Sequence, residues 1–181
     1  MKKVLAILFV LVMAASLMVG CSGDTTTTST TAVAKSAYDE ILSQAGITHT
    51  STVTGDKMVS FARRNDDGVE VHDYGYNNEG VVCEIIETIY MPFGDTYSPE
   101  YADTLDGVMA EEYARFDSID CASVGSRFVD NVYILTIKYT GLDNLDNVRA
   151  LHDAGVFNEA YSYYNMSDAE AEMLGKGYVK K

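Results

Sequence analysis

Two tight-turn signals separate three runs of β-branched and aromatic residues, and this pattern limits the possible folds most strongly. The segment 65–68 (Asn-Asp-Asp-Gly) lies between the runs 57–64 and 69–74, and the segment 77–80 (Asn-Asn-Glu-Gly) precedes the run 81–90. Runs of this composition joined by such short turns form antiparallel strands. The sequence therefore predicts a three-stranded antiparallel meander.

The second half of the chain adds helix signals and another hairpin. Ser98 followed by Pro99 is typical of a helix start, and apolar residues at helical spacing extend this predicted helix to position 116. A hairpin around Asp130-Asn131 joins the predicted strands 119–128 and 132–140. Shorter helices are predicted at 36–46, at 144–154 and from a capping box at 167–170.

After the first short helix, the predicted order of elements is β-β-β-α-β-β-α-α. Strands that are grouped in hairpins, with helices between and after them, favour an α+β domain. We expect one antiparallel sheet of about five strands, with the helices packed mainly on one face.

The first 21 residues have the character of an export signal. Two lysines at positions 2 and 3 precede a 16-residue apolar run, 4–19, which is typical of a secretory signal. The run ends in Gly20-Cys21 and resembles a bacterial lipobox, with Met18 where leucine is usual. That resemblance implies removal of residues 1–20 and lipidation of Cys21. Ordinary cleavage after 14–16 and an uncleaved anchor are the alternatives, although a spanning helix needs about 20 apolar residues.

These segments predict three regions: a signal peptide at 1–20, a lipidated cysteine with a Thr/Ser-rich tether at 21–35, and one α+β domain at 36–181. Two acylated chains anchor a protein stably, so we expect it on the extracytoplasmic side of the bacterial membrane, held by its N-terminal lipid. The tether, with a Thr-rich stretch at 25–31, has nothing to bury and is typical of a flexible linker.

The net charge disfavours polyanionic partners. The chain carries 27 acidic and 13 basic side chains, a net charge of -14. Removal of residues 1–20, which hold two lysines and no acid, leaves a net charge of -16. Binding to nucleic acid or to anionic headgroups needs a cationic face, so both are disfavoured.

The layout resembles the YehR-like family of small bacterial lipoproteins of uncharacterised function. The resemblance rests on the lipobox cysteine and polar spacer, the strands within 59–90, and an acidic helix with Glu111-Glu112-Tyr113. It continues through the strand VYILTIKY at 132–139 to the terminal segment 174–181, and it covers about residues 50–181. It implies an α+β domain on a lipid anchor, and it implies no catalytic residues.

Two cysteines remain once Cys21 is assigned to lipid. Cys83 and Cys121 form an even pair in an exported protein, which is compatible with a disulfide. The alternative is two unpaired cysteines that are buried in neighbouring strands as small apolar residues.

Motifs for catalysis and for metal binding are absent from the sequence. The three histidines, His49, His72 and His152, are far apart and show no paired ligand spacing. The sequence also has no Gly-x-Ser-x-Gly elbow and no Gly-rich phosphate loop. We therefore predict no metal site, no cofactor and no enzymatic activity.

The 13 tyrosines, in a chain without tryptophan, suggest a contact surface. Tyr161, Tyr163 and Tyr164 lie in a loop-like segment, and exposed tyrosines are well suited to binding a protein or a glycan. The alternative is that their rings seal the last helix against the sheet.

The sequence thus favours a non-enzymatic binding or accessory module of the cell envelope, with an envelope protein or a glycan as its partner. A structural lipoprotein that supports an envelope complex is one alternative. A small extracytoplasmic enzyme using acidic residues is another, and it requires a concave pocket with two carboxylates, or with an acid beside His72 or His152.

Overall fold

The structure is a computed structural model that describes residues 35–93, 99–157 and 163–181. The described residues all belong to one compact unit. The predicted signal peptide, Cys21 and nearly all of the predicted tether lie outside the described residues.

One antiparallel sheet organises the domain. Its strands, in the spatial order β4-β5-β3-β2-β1-β6, are β1 Lys57–Arg64, β2 Val69–Tyr76, β3 Val82–Pro92, β4 Ala122–Val129, β5 Val132–Thr140 and β6 Val179–Lys180. The predicted α+β class, the meander and the later hairpin are confirmed. The predicted count of about five strands is one short, because a two-residue strand such as β6 is too short to show a period of two.

Within the residues that the structure describes, four α-helices accompany the sheet: α1 Ala37–Gln44, α2 Pro99–Tyr113, α3 Leu145–Asp153 and α4 Met166–Gly175. A 3-10 helix, Ala114–Ser118, continues α2. Ser36 caps α1 by accepting a hydrogen bond from the Asp39 N–H at 3.1 Å, as its sequence predicts.

The start of α4 differs from the prediction. The capping box places it at Ser167, but the helix begins at Met166 after Asn165. Backbone pairing explains the shift, since Asn165 bridges to Val81 and the Met166 N–H donates to the Gly80 carbonyl at 2.8 Å. The segment is thus tied to the sheet before its first helical turn.

Strand register assigns the side chains to two faces. The helix face carries Phe61, Tyr74, Ile85 and Tyr139 in one core cluster, together with residues of the 3-10 helix, α3 and α4. The opposite face carries a second cluster, in which α1 packs on β1 and β6 at one edge of the sheet. The expectation that helices pack mainly on one face therefore describes α3 and α4, whereas α1 covers the other side because β1 and β2 present apolar residues there as well.

Candidate functional site

A cavity of about 570 Å³ opens on the helix face of the sheet. Its floor comes from β2, β3 and β5, and its walls come from the end of α2, the 3-10 helix, the segment after α3, and α4. Cavities that hold small ligands commonly measure about 300–1,000 Å³. This volume is therefore sufficient for a small molecule or for one side chain of a partner.

Aromatic rings form a continuous belt along the cavity wall. Ring centroids are 5.7 Å apart for Tyr113 and Phe116, 6.1 Å for Phe116 and Tyr139, and 6.1 Å for Tyr139 and Phe157. Tyr164 stacks on Phe157 at 5.4 Å and ends the belt. Such a surface offers flat apolar area and π-faces that attract cations.

Glu87 and His72 lie side by side on the cavity floor. They are directly opposite each other in the β2–β3 pairing, and therefore point to the same face. Glu87 Oε1 lies 3.6 Å from His72 Nδ1, and the exposed fractions of the two side chains are 28% and 15%. The sheet thus presents an acid and an imidazole to the cavity together.

Burial shifts both groups toward their neutral forms. Burial, with a smaller contribution from the charge of Glu70, raises the pKa of Glu87 to about 7. Burial lowers the pKa of His72 to about 4. At neutral pH the imidazole is therefore uncharged, while Glu87 is close to the midpoint of its titration.

Hydrogen bonds beneath the floor determine the tautomer of His72. The Tyr178 hydroxyl donates its one proton to Glu70, so the same oxygen accepts the His72 Nε2–H at 3.1 Å. Burial raises the pKa of Glu70, but hydrogen bonds from Tyr178 and Arg63 outweigh it, and the pKa lies below its ordinary value. Glu70 is thus a fixed acceptor at neutral pH.

This arrangement leaves His72 Nδ1 as an acceptor. The atom is buried and has no hydrogen-bond partner in the part of the chain that the structure describes. It faces Glu87 at a distance too long for a hydrogen bond. When Glu87 is ionised, the cavity floor therefore presents two adjacent acceptors without a donor between them.

Charges at the cavity rim balance each other. Lys176 pairs with Glu172 across one helical turn, and the Tyr164 hydroxyl also donates to Glu172 at 3.2 Å. Arg115 and Asp168 add one charge of each sign. Within the described ranges, no lysine or arginine forms an ion pair with Glu87.

The other two histidines lie elsewhere. His152 is at the surface, 3.4 Å from Asp153, and does not line the cavity. His49 belongs to a closed cluster on the opposite face, where its two ring nitrogens contact Asp73 at 2.7 Å and Tyr90 at 2.6 Å. Asp73 is 1% exposed, so this cluster holds the 47–56 segment to the sheet and presents no reactive atom to solvent.

The tyrosines predicted to form a surface are divided. Tyr163 is 44% exposed, Tyr164 is 6% exposed and lines the cavity, and Tyr161 lies outside the described residues. Tyr164 therefore fits the alternative interpretation, in which the ring packs between the last helix and the sheet. The binding role of the three tyrosines stays a prediction.

Both cysteines that could pair are free in this structure. The Cys83 thiol approaches the Val81 carbonyl at 3.5 Å, whereas the buried Cys121 thiol approaches the Asn147 carbonyl at 3.7 Å. Cys121 thus has the environment of a small apolar residue, which is the alternative to a disulfide.

Neither a metal-ligand cluster nor a membrane-spanning helix occurs in the ranges that the structure describes. Those residues contain no cluster of three or more His, Cys, Asp or Glu side chains that could hold a metal ion. Among them, no helix has the length and apolar character needed to cross a membrane.

Comparison with solved structures shows the fold. The YehR protein of Escherichia coli superposes with a TM-score of 0.52 at 18% identity, covering 70% of this chain and 93% of that one. The chain has a YehR-like fold. A protein from Streptococcus pneumoniae TIGR4 gives a TM-score of 0.44 at 11% identity, covering 92% of this chain and 100% of that one. No protein-family model matches the sequence, and no curated protein does.

Proposed function

We propose that this protein is a lipid-anchored binding module of the bacterial cell envelope, and that the cavity on the helix face is its ligand site. The observation that carries the proposal is the cavity, with its aromatic belt and a buried acceptor, His72 Nδ1, that lacks a donor and lies 3.6 Å from Glu87 Oε1. A protein interior rarely leaves buried acceptors unpaired, because an unmade hydrogen bond costs about 1–3 kcal/mol. A bound ligand supplies the missing donors.

The N-terminal segment supports the proposed location. The lipobox-like Gly20-Cys21 and the threonine-rich stretch after it would hold the domain near the membrane on a flexible linker. The proposed partner is an envelope component, a glycan or a protein, that places one group in the cavity. A mature net charge of -16 disfavours polyanionic components.

Photocrosslinking in the native membrane tests this proposal. A photoreactive phenylalanine analogue replaces Phe157, which lines the cavity, and in a control variant it replaces Tyr163, which is 44% exposed. After illumination, the mass of the intact protein should show a discrete adduct from the Phe157 position. No adduct, or the same adduct at equal yield from both positions, would contradict a ligand site in the cavity.

A second candidate function is a small extracytoplasmic enzyme, because Glu87 and His72 form an acid–histidine pair in a concave cavity. A carboxyl group with a pKa near 7 can donate a proton at neutral pH, and an unprotonated imidazole nitrogen can accept one. An enzyme would consume a component of an envelope extract over time, and Glu87→Gln would abolish that loss. A component that is retained but not consumed favours the binding module.

A further inference from the structure

We infer that the ligand carries a protonated primary amine, held between the Glu87 carboxylate and His72 Nδ1, while its carbon skeleton lies against the aromatic belt. The inference rests on the proposed function and names the chemical class of its ligand. Its first support is the geometry of the two acceptors, which lie 3.6 Å apart. A nitrogen atom that lies about 2.9 Å from both makes two normal hydrogen bonds, and a change of side-chain rotamer on binding opens His72 Nδ1, which is buried in this structure, to it.

An ammonium group satisfies this pair of acceptors better than other common groups. It has three donors and no acceptor, so it bonds both atoms without presenting a lone pair to either. A single hydroxyl has only one proton to donate. An anion would be repelled by the carboxylate and by the nitrogen lone pair, because His72 Nε2 already carries the proton of the imidazole.

The surroundings of the two acceptors also favour a cation. The belt from Tyr113 to Tyr164 lines the cavity with aromatic rings, whose π-faces attract ammonium groups. The rim charges balance, so Glu87 supplies the uncompensated charge at the floor. A ligand cation is the partner that this carboxylate lacks.

Several titratable groups face Glu87 from the elements around it. They are Glu70, His72 and Tyr74 of β2, Tyr139 of β5, Tyr113 at the end of α2, Arg115 of the 3-10 helix, Asp168 and Glu172 of α4 with Lys176 after it, and Tyr178 before β6. Of these, His72 is neutral near pH 7, since burial lowers its pKa to about 4. Proton loss from Glu87 therefore dominates the expected pH dependence between pH 6 and 8.

Amine binding should consequently strengthen as the pH rises. An alkylamine stays protonated at pH 6 and at pH 8, whereas the ionised fraction of a carboxyl with a pKa near 7 increases about tenfold between them. Binding of the amine should release one proton from Glu87 at the lower pH. A neutral ligand would show no such gain.

The probe is benzylamine, and benzyl alcohol serves as its neutral isostere. NMR titration of the full-length protein should show benzylamine affinity rising about tenfold from pH 6 to pH 8, and benzyl alcohol affinity should stay constant. Glu87→Gln should lower benzylamine affinity at pH 8 at least tenfold. Glu40→Gln, the same change at an exposed position of α1, should leave it unaltered.

Equal affinity for the amine and the alcohol at both pH values would overturn the inference. That result needs no variant, so it stands even if Glu87→Gln folds poorly. If a crosslinked adduct still forms from position 157, the binding function holds and only the ligand class is wrong. If neither adduct nor amine preference is seen, both proposals fail.

Discussion

Glu87→Gln should stabilise the folded protein increasingly as the pH rises. Burial raises the pKa of Glu87 from 4.5 to about 7, so the folded state binds this proton more tightly than the unfolded chain does. The resulting stability is present below pH 4.5 and is lost as the pH rises through about 7. A tenfold change in proton affinity corresponds to about 1.4 kcal/mol, so ionisation of Glu87 lowers the free energy of unfolding by about 3 kcal/mol at most.

Glutamine keeps the shape of the side chain and carries no charge at any pH. The free energy of unfolding of Glu87→Gln, relative to the wild type, should therefore be about 3 kcal/mol higher at pH 8.5 than at pH 4.5. In a domain of this size 1 kcal/mol changes Tm by roughly 2–4 °C, so the Tm difference should grow by about 6–12 °C. His72 titrates in both proteins, and its contribution cancels in the comparison.

Urea and thermal unfolding, followed by circular dichroism at four pH values from 4.5 to 8.5, measure this difference. Glu40→Gln is the matched control, because it makes the same chemical change on an exposed surface of α1. Its difference from the wild type should not vary with pH. A constant difference for Glu87→Gln, or one that grows toward low pH, would refute the burial argument.

Three further changes test other parts of the molecule. Cys21→Ala removes the predicted site of lipid attachment, so cell fractionation should find the protein released from the membrane. Unchanged retention in the membrane fraction would contradict the predicted lipid anchor. Asp73→Asn replaces the acceptor of a buried hydrogen bond from Ser60 and the partner of His49, so urea unfolding should show that the free energy of unfolding falls by about 1–3 kcal/mol. An unchanged midpoint would contradict the role of this cluster in holding the 47–56 segment to the sheet. Gly75→Ala puts a Cβ against the backbone of Thr54, so the free energy of unfolding should fall by about 1–3 kcal/mol and amide exchange at 53–55 should become faster. Unaltered exchange at 53–55 would contradict the close approach of the two backbones.

Local signals in the sequence predicted most elements of the fold. Asp130 and Asn131 both have positive φ angles, of 50° and 62°, which is the turn geometry that connects β4 to β5 directly. Asn144 caps α3 by accepting a hydrogen bond from the Asp146 N–H at 3.0 Å. These features depend on residues a few positions apart, so a single sequence contains them.

Features that depend on distant residues were missed. β6 forms because the C-terminal segment reaches Phe61 and Ala62 of β1, more than 100 positions earlier in the chain. The histidine of the cavity floor was one of three in the sequence, and only the packing separates His72 from the buried His49. The sequence pattern does not distinguish Glu87 from other acids, because an acid in an alternating strand is usually a solvated residue.

Periodicity within each strand identifies the residues that share a face, because side chains alternate with a period of two. Which faces meet depends on the pairing between strands, and here it depends on a bulge between β2 and β3. Tyr76 pairs with Val82, but Gly75 pairs with Glu84, so one residue of β3 is skipped. This shift places Glu87 opposite His72; without it Ile86 would be there, and Glu87 would point to the other face. A one-residue bulge arises from how two strands pack and twist, and neither strand's periodicity records it.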